Sequence, residues 1–312
     1  MQKHFFYRGL YLMFCLLGGI TIYGQINLQE GTVTAIAYWE NDDHRNYKVS
    51  ETNLITADGD TTDLMIVDYD VKMKITDSLS TGYVVEWTRK NYTFSGYSEI
   101  EQKIMSILSD FPIVFSTNEF GSDVKLLNFE SIIEMVASEV IKLNSQYEDN
   151  HEVLRKISTL KKEYASDQSI VNKYLSDIQQ YTVYHGAKYL LGESVTNYVK
   201  LPNAYGGDSI DATGAVLLDE ILPENDTYVI KSFQSVDPSQ LKAVTYDYLS
   251  SLNMVDGELP AYEDFPTVLK QMWGGSEIQG RTGWVIFSQE SEQVTTGSDM
   301  VLKERFIEWL KE

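Results

Sequence analysis

Three histidines after the N-terminal segment, His44, His151 and His185, are the residues best suited to proton transfer or metal ligation. None has a second histidine or a carboxylate at a recognised ligand spacing. His151-Glu152 opens a helical pattern, an ordinary place for both residues. His185 follows Tyr181-Thr182-Val183-Tyr184 and is the candidate for a general base or pH sensor, with a core or surface histidine as the plainer reading. No Gly-x-Ser-x-Gly elbow, Ser-x-x-Lys or His-Glu-x-x-His occurs. Asp58, Asp60 and Asp63 have the alternating spacing of an oxygen-ligand site for calcium. They lack the sixth-position glycine and terminal glutamate of an EF-hand, and Asp58-Gly59 equally fits a hairpin turn. Asn203 to Asp208 has two glycines but no lysine and no following helix, so it reads as a loop and not a phosphate cradle. Tyr181, Tyr184, Tyr189, Tyr198 and Tyr205 are close in sequence and suit either a sheet surface or a pocket for a sugar or apolar ligand. No catalytic, cofactor-binding or metal residue is assigned from the sequence, and no cofactor is implied.

Composition narrows the classes. The chain of 312 residues has 46 acidic and 25 basic residues, a formal charge of −21. Affinity for nucleic acid or anionic lipid rests on Lys and Arg neutralising phosphates, so neither is an expected partner. Lys3 and Arg8 precede the apolar run Gly9–Ile20, and Gly24-Gln25 offers a small residue for a peptidase. The run is shorter than the ~20 residues a bilayer-spanning helix needs. Residues 1–25 are therefore expected to be a cleaved signal peptide, cut after Gly24 or Gln25, with no membrane span remaining. Cys15 is the only cysteine and follows Leu12-Met13-Phe14, too bulky for a lipoprotein site. The mature chain is expected to be cysteine-free and acidic, in the periplasm or outside the cell.

The elements that would position any site alternate between two periods. Odd residues Met65 to Ile75 are apolar and alternate with Asp68, Asp70, Lys72 and Lys74, a half-buried strand. Asp77 to Gly82 reads as a turn, and Tyr83, Val85 and Trp87 resume the pattern. The apolar phase shifts at Arg89-Lys90-Asn91 to Tyr92 and Phe94, which predicts a bulge. Further strands are expected over Thr32–Trp39, Tyr47–Ile55 and Pro112–Phe115. Ser98 and Glu101 form a capping box, and Asn128 is placed to cap the stripe Phe129, Ile132, Val136, Val140. Helical stripes continue from Val153 and from Ile170. Asp237-Pro238 starts another helix, a short one is expected from Pro266 to Trp273 stopped by Gly274-Gly275, and Trp284–Phe287 reads as a strand covered on both faces.

The fold class is therefore α+β, with curved antiparallel sheets packed on helices. The division is a β-rich lobe 26–127, a helical segment 128–181 and a C-terminal α+β lobe 182–312. Element order recurs, each half ending on a Gly-Ser-Asp turn (121–123 and 297–299), so the two lobes are expected to be related. The Tyr23-Gly24-Gln25 signal end, the segment Thr81–Trp87 and the Leu201–Asp208 loop followed by Ala212-Thr213-Gly214 resemble exported proteins of Bacteroidetes. The resemblance implies a Gram-negative envelope or extracellular setting and carries over no catalytic residue. The expected function is a non-catalytic binding or accessory protein of the envelope, for a small apolar ligand or an envelope protein. The alternative is a secreted hydrolase using dispersed carboxylates.

Overall fold

A computed structural model describes residues 25–163, 175–203, 205–252 and 259–311. The N-terminal part carries strands β1 (Ile26–Asn27), β2 (Thr32–Thr34), β3 (His44–Ala57), β4 (Asp60–Leu79) and β5 (Gly82–Ser95), then helix α1 (Glu99–Met105). Strands β6 (Pro112–Thr117) and β7 (Lys125–Leu126) precede helices α2 (Phe129–Gln146), α3 (His151–Glu163) and α4 (Ser176–Thr182). Strands β8 (Lys188–Leu190), β9 (Ser194–Leu201), β10 (Ile210–Leu222) and β11 (Thr227–Val236) lead into helix α5 (Pro238–Ser251). Strands β12 (Val268–Gln279), β13 (Val285–Thr296) and β14 (Asp299–Trp309) follow it. No described helix is long and apolar enough to cross a membrane.

Eleven strands form one antiparallel sheet in the order β7-β6-β5-β4-β3-β14-β13-β12-β11-β10-β9, and β1-β2-β8 form a small second sheet. The mixed α and β content and the antiparallel sheet are as expected. The halves, however, meet within a single sheet: β3 and β14 pair continuously from Tyr47↔Trp309 to Thr56↔Met300. That ladder brings the end of the chain against its first long strand, a contact no local pattern announces.

One face of the sheet carries the core. Tyr47, Val49, Val67, Val71, Met73, Trp87 and Ile307 are all buried on it. Helix α4 packs on this face at β13 and β14, and α5 covers its far end, where Leu241 and Val244 sit on Ile210, Ala212 and Val236. Burying each large apolar side chain stabilises the fold by about 1.5–3 kcal/mol.

Local signals account for many boundaries. Glu101 accepts from the Ser98 N–H at 2.9 Å and from its hydroxyl at 2.7 Å, the expected box at α1. Asp237 accepts from the Gln240 N–H at 2.8 Å and caps α5. Asp58 and Gly59, both at positive φ, turn β3 into β4. The phase shift at 89–91 is a bulge: the β4–β5 register slips between Asp68 and Asp70, with Asn91 at φ 56°.

Several expectations need correction. Residues 268–273 form part of β12 and not a helix, because Val268, Lys270 and Met272 face the core side while Leu269, Gln271 and Trp273 face away. Apolar residues on both faces hid the period of two. Gly274-Gly275 lies within that strand instead of ending a helix. Asp77 to Leu79 still belongs to β4, leaving Ser80 and Thr81 as the turn. Of Thr32–Trp39, only Thr32–Thr34 is laddered; beyond it the chain stays extended, Ala35 bonding Ala187 and Ala37 bonding Phe120. Asn128 does not cap α2; its amide bonds the Pro112 carbonyl and the Val114 N–H. Trp284 and Val285 are fully buried, but Phe287 reaches the opposite, open face. Of the stripe expected from Ile170, residues before Leu175 lie outside the described residues.

The tight β4–β5 turn generates a test. A Cβ at Gly82 (φ +147°) would lie 1.9 Å from the Thr117 carbonyl oxygen, whereas one at Gly59 (φ +84°) meets nothing within 4 Å. Gly59→Ala is expected to cost only the left-handed penalty of about 1–2 kcal/mol, and Gly82→Ala clearly more. Urea midpoints of the two variants check the order.

Candidate functional site

Charged residues gather beneath α4 on the core face. This short helix is buried nearly all round, with Asp177, Ile178, Gln180, Tyr181 and Thr182 inaccessible. Asp177 points at β4 and β5. Its Oδ2 accepts from Arg89 Nε at 2.9 Å and Trp87 Nε1 at 3.0 Å, and Tyr69 Oη lies 3.2 Å away. Its Oδ1 accepts from Arg89 Nη2 at 2.5 Å and from the Ile178 N–H at 2.9 Å. Plain alternation along β5 keeps Val85, Trp87 and Arg89 on the core side, and the bulge that follows returns Tyr92 and Phe94 to it as well.

A second arginine extends the cluster. Arg305 of β14 donates to Glu51 of β3 at 3.0 Å, and its Nη1 lies 3.5 Å from the Gln180 amide oxygen and 3.8 Å from Glu290 of β13. Tyr69 Oη lies 2.8 Å from Glu51, and its single proton serves Glu51 or Asp177, not both. Gln180 Nε2 donates to Ser288 Oγ at 3.1 Å, which also accepts from Ser276 Oγ at 2.9 Å.

These contacts separate the acids. Burial pushes the Asp177 carboxyl up, but the facing Arg89 guanidinium more than reverses this and holds it below the usual carboxylate range. Glu290 is pushed up, by desolvation first, against the downward pull of Arg305; with 45 % of its side chain exposed, that push is partly screened. Asp177, with its lone pairs filled by donors, is a positioning anchor and a poor base.

Beside this cluster, His185 packs edge-on against Trp39 (5.9 Å) and parallel to Tyr181 (6.3 Å). Its Nε2 lies 2.8 Å from the Gly283 carbonyl, which makes that nitrogen the protonated one. Burial depresses its pKa. It is a core histidine, enclosed from substrate. His44 and His151 are exposed at the starts of β3 and α3.

The other sequence candidates disperse. Asp58 and Asp60 serve the β3–β4 hairpin, where Asp58 Oδ1 accepts from Ser298 Oγ, and Asp63 pairs with Ile55 in the ladder. No group of three His, Cys, Asp or Glu residues among those described is arranged to hold a metal. Asn203 bonds the Tyr205 N–H and the Gly206 carbonyl as a self-contained turn; Ala204 lies outside the described residues. Tyr181 and Tyr184 are in the core, and Tyr189 packs against it. Tyr198 is 85 % exposed on edge strand β9, and Tyr205 stacks on Tyr248 of α5 at 4.4 Å. The five tyrosines line no common pocket. Two hollows of about 250 and 230 Å³ lie at sheet ends, the first lined by Leu79, Tyr83 and Asn118, the second by Asn46, Lys90 and Leu310, with no α4 residue in either.

Sequence reading missed Glu51, Arg89, Asp177 and Arg305. One signal was available. Arg89 continues the buried phase of Val85 and Trp87, and Asp177 sits within the apolar spacing of Leu175, Ile178 and Tyr181; charge at a core position calls for a buried partner.

The opposite face of the sheet is open and different in kind. Trp273 and Phe233 are directly paired across β12 and β11, Leu54 is flanked by Leu64 and Leu302, and the Phe287 and Phe306 rings lie 6.2 Å apart. Phe233 is 45 % and Phe287 37 % exposed, and neither belongs to the core clusters. Between them stand hydroxyls and amides, with Gln289 bonding Ser291 and Gln293 bonding Thr295, while Glu277 and Glu308 are the cross-strand neighbours of Phe287. Glu304 is held there by Ser291 Oγ at 3.1 Å.

No family model matches the chain, and no curated protein matches it. Among solved structures it is similar to that described as "Lipid-protein interactions in lipovitellin", at 7 % identity and a TM-score of 0.39 over 87 % of this chain. The match spans only 25 % of that longer chain. It is also similar to DynF from the dynemicin biosynthesis pathway of Micromonospora chersina, at 8 % identity and a TM-score of 0.19, covering 96 % of this chain and 94 % of that one. Likenesses this distant carry no functional argument.

Two outcomes test the site's electrostatics. Asp177→Asn is expected to lower unfolding free energy by about 3–5 kcal/mol, because it strands Arg89, while Arg89→Met with Asp177→Leu should recover most of that loss. Equilibrium urea denaturation measures both. For His185 the folded pKa is depressed, so the unfolded state binds the proton first. Stability present above about pH 6.5 then falls as pH drops, by up to about 1.4 kcal/mol per pH unit. His185→Phe is expected to flatten the stability profile between about pH 6.5 and 5.

Proposed function

We propose that this chain is an exported, non-catalytic accessory protein of the cell envelope that binds a protein partner through the open face of its large sheet. The observation that carries the reading is the character of that face. On β11 to β13 it presents Phe233, Trp273 and Phe287 with neutral amides and hydroxyls beside them, and Lys231, Glu277, Glu304 and Glu308 stand around this patch. Interface cores are enriched in aromatics in this way, and their rims are polar. The occupant it suits is a protein surface that is itself apolar at its centre.

A small apolar ligand beneath the sheet draws less support. The core face is filled by the protein's own side chains, with Trp39, Tyr47, Trp87, Tyr181 and Trp284 packed in one cluster. The hydrolase reading also draws less support, since Asp177 is saturated and Arg305 bridges Glu51 and Glu290. Export to the periplasm or beyond rests on the basic, apolar and small-residue order of residues 1–25.

The test is crosslinking in the envelope of producing cells, with the bound proteins identified. Phe233→Asp combined with Phe287→Asp is compared with Ile141→Asp, a substitution on α2 at a side chain 65 % exposed. The expected result is one partner held by the wild type and by Ile141→Asp, but at least about tenfold less by the double variant. Identical capture by all three, with folding intact, removes this face from the reading.

A further inference from the structure

The start of the described chain is built into the core. Gln25 is 4 % exposed. Its Nε2 donates to the Ile36 carbonyl; its Oε1 accepts from Tyr228 Oη at 2.9 Å and from the Ile36 N–H at 3.4 Å. Its own carbonyl accepts from the Thr34 N–H at 2.8 Å. Tyr228 is fully buried, so its hydroxyl has no water to replace Gln25. The side-chain amide thus acts as one more strand residue, tying β2 and the segment after it to β11.

From this geometry we infer that processing cuts the Gly24–Gln25 bond, and that the fold then protects the new N-terminal glutamine from cyclisation. The inference rests on the export reading above and goes further, by choosing between the two bonds that the sequence leaves open. A cut after Gln25 would remove the side chain that pairs with Ile36 and strand the Tyr228 hydroxyl in the core. A cut before it leaves every one of those contacts intact.

An N-terminal glutamine has a chemistry of its own. Its free α-amine attacks Cδ of its own side chain, forming an N–Cδ bond, breaking Cδ–Nε2 and expelling ammonia, with no other reactant. Ring closure needs the carboxamide to turn back onto its own nitrogen. In the folded chain that turn first breaks all three contacts to Ile36 and Tyr228. Cyclisation is therefore confined to the unfolded chain, and a cyclised terminus becomes a record of having been unfolded.

The experiment uses the full chain produced in a Gram-negative host, with intact mass and N-terminal sequencing of the folded product. The expected product starts at Gln25 with a free amine, and loses one ammonia only after prolonged incubation in denaturant. A start at Ile26 or at another internal residue overturns the inference, as does a folded product that already lacks the ammonia. A chain still starting at Met1 and retained in the cytoplasm refutes the export reading itself, and is distinguishable from either. Gln25→Ala, processed at the same bond, is expected to melt lower by about 2 °C or more; an unchanged melting temperature counts against the role of the side chain.

Discussion

The Arg89–Asp177 ion pair is the constraint around which the core is organised. A carboxylate and a guanidinium taken out of water are each costly, and only close, multiply bonded geometry offsets that cost. Arg89 and Asp177 meet through two nitrogen–oxygen contacts, and Trp87 and Ile178 fill further acceptor sites on the carboxylate. The consequence is positional. Helix α4 is too short to hold its place by propensity, so its seat is set by where Asp177 finds its arginine. Tyr181 and Gln180, on the same helix, are then brought to Tyr47, Val285 and Ser288.

That seat in turn decides which face of the sheet is interior. With α4 on one side, Tyr47, Val71, Trp87 and Ile307 are enclosed, and the alternation along each strand sends Leu54, Phe233, Phe287 and Leu302 the other way. In a half-buried strand the outward residues are normally polar and charged. Here Glu304, Glu308 and Lys48 do point outward, but Leu54, Trp273, Phe287, Leu302 and Phe306 stand among them, an aromatic and aliphatic content that burial in a partner explains better than solvent exposure does.

The closing ladder between β3 and β14 has a different consequence. Because it joins the start and end of the chain, Glu51 and Arg305, far apart in sequence, become direct cross-strand neighbours. The polar cluster under α4 therefore belongs to both halves at once and exists only when the sheet is continuous. This also limits what it can do chemically. Its arginines are spent on its carboxylates, and its most exposed acid, Glu290, lies beside Arg305.

Local physics made much of the molecule legible in the chain itself. The alternation from Met65 to Ile75, the phase slip at Asn91, the Asp58-Gly59 turn, the box at Ser98 and the cap at Asp237 each depend on neighbours a few residues away, and each holds in the structure. Strand β12 was illegible for the opposite reason: apolar side chains stand on both of its faces, so its period of two vanishes. The same is true of Asn128, whose amide answers to β6 and not to its own helix. His185 shows the limit most directly. Its type permits a base or a sensor, and only enclosure by Trp39 and Tyr181, supplied from elsewhere in the chain, makes it a neutral core residue. Residue type and short-range spacing determine what an element is; which charges meet, which face is buried and which tyrosines stay outside depend on contacts between distant segments, and those form only in the folded chain.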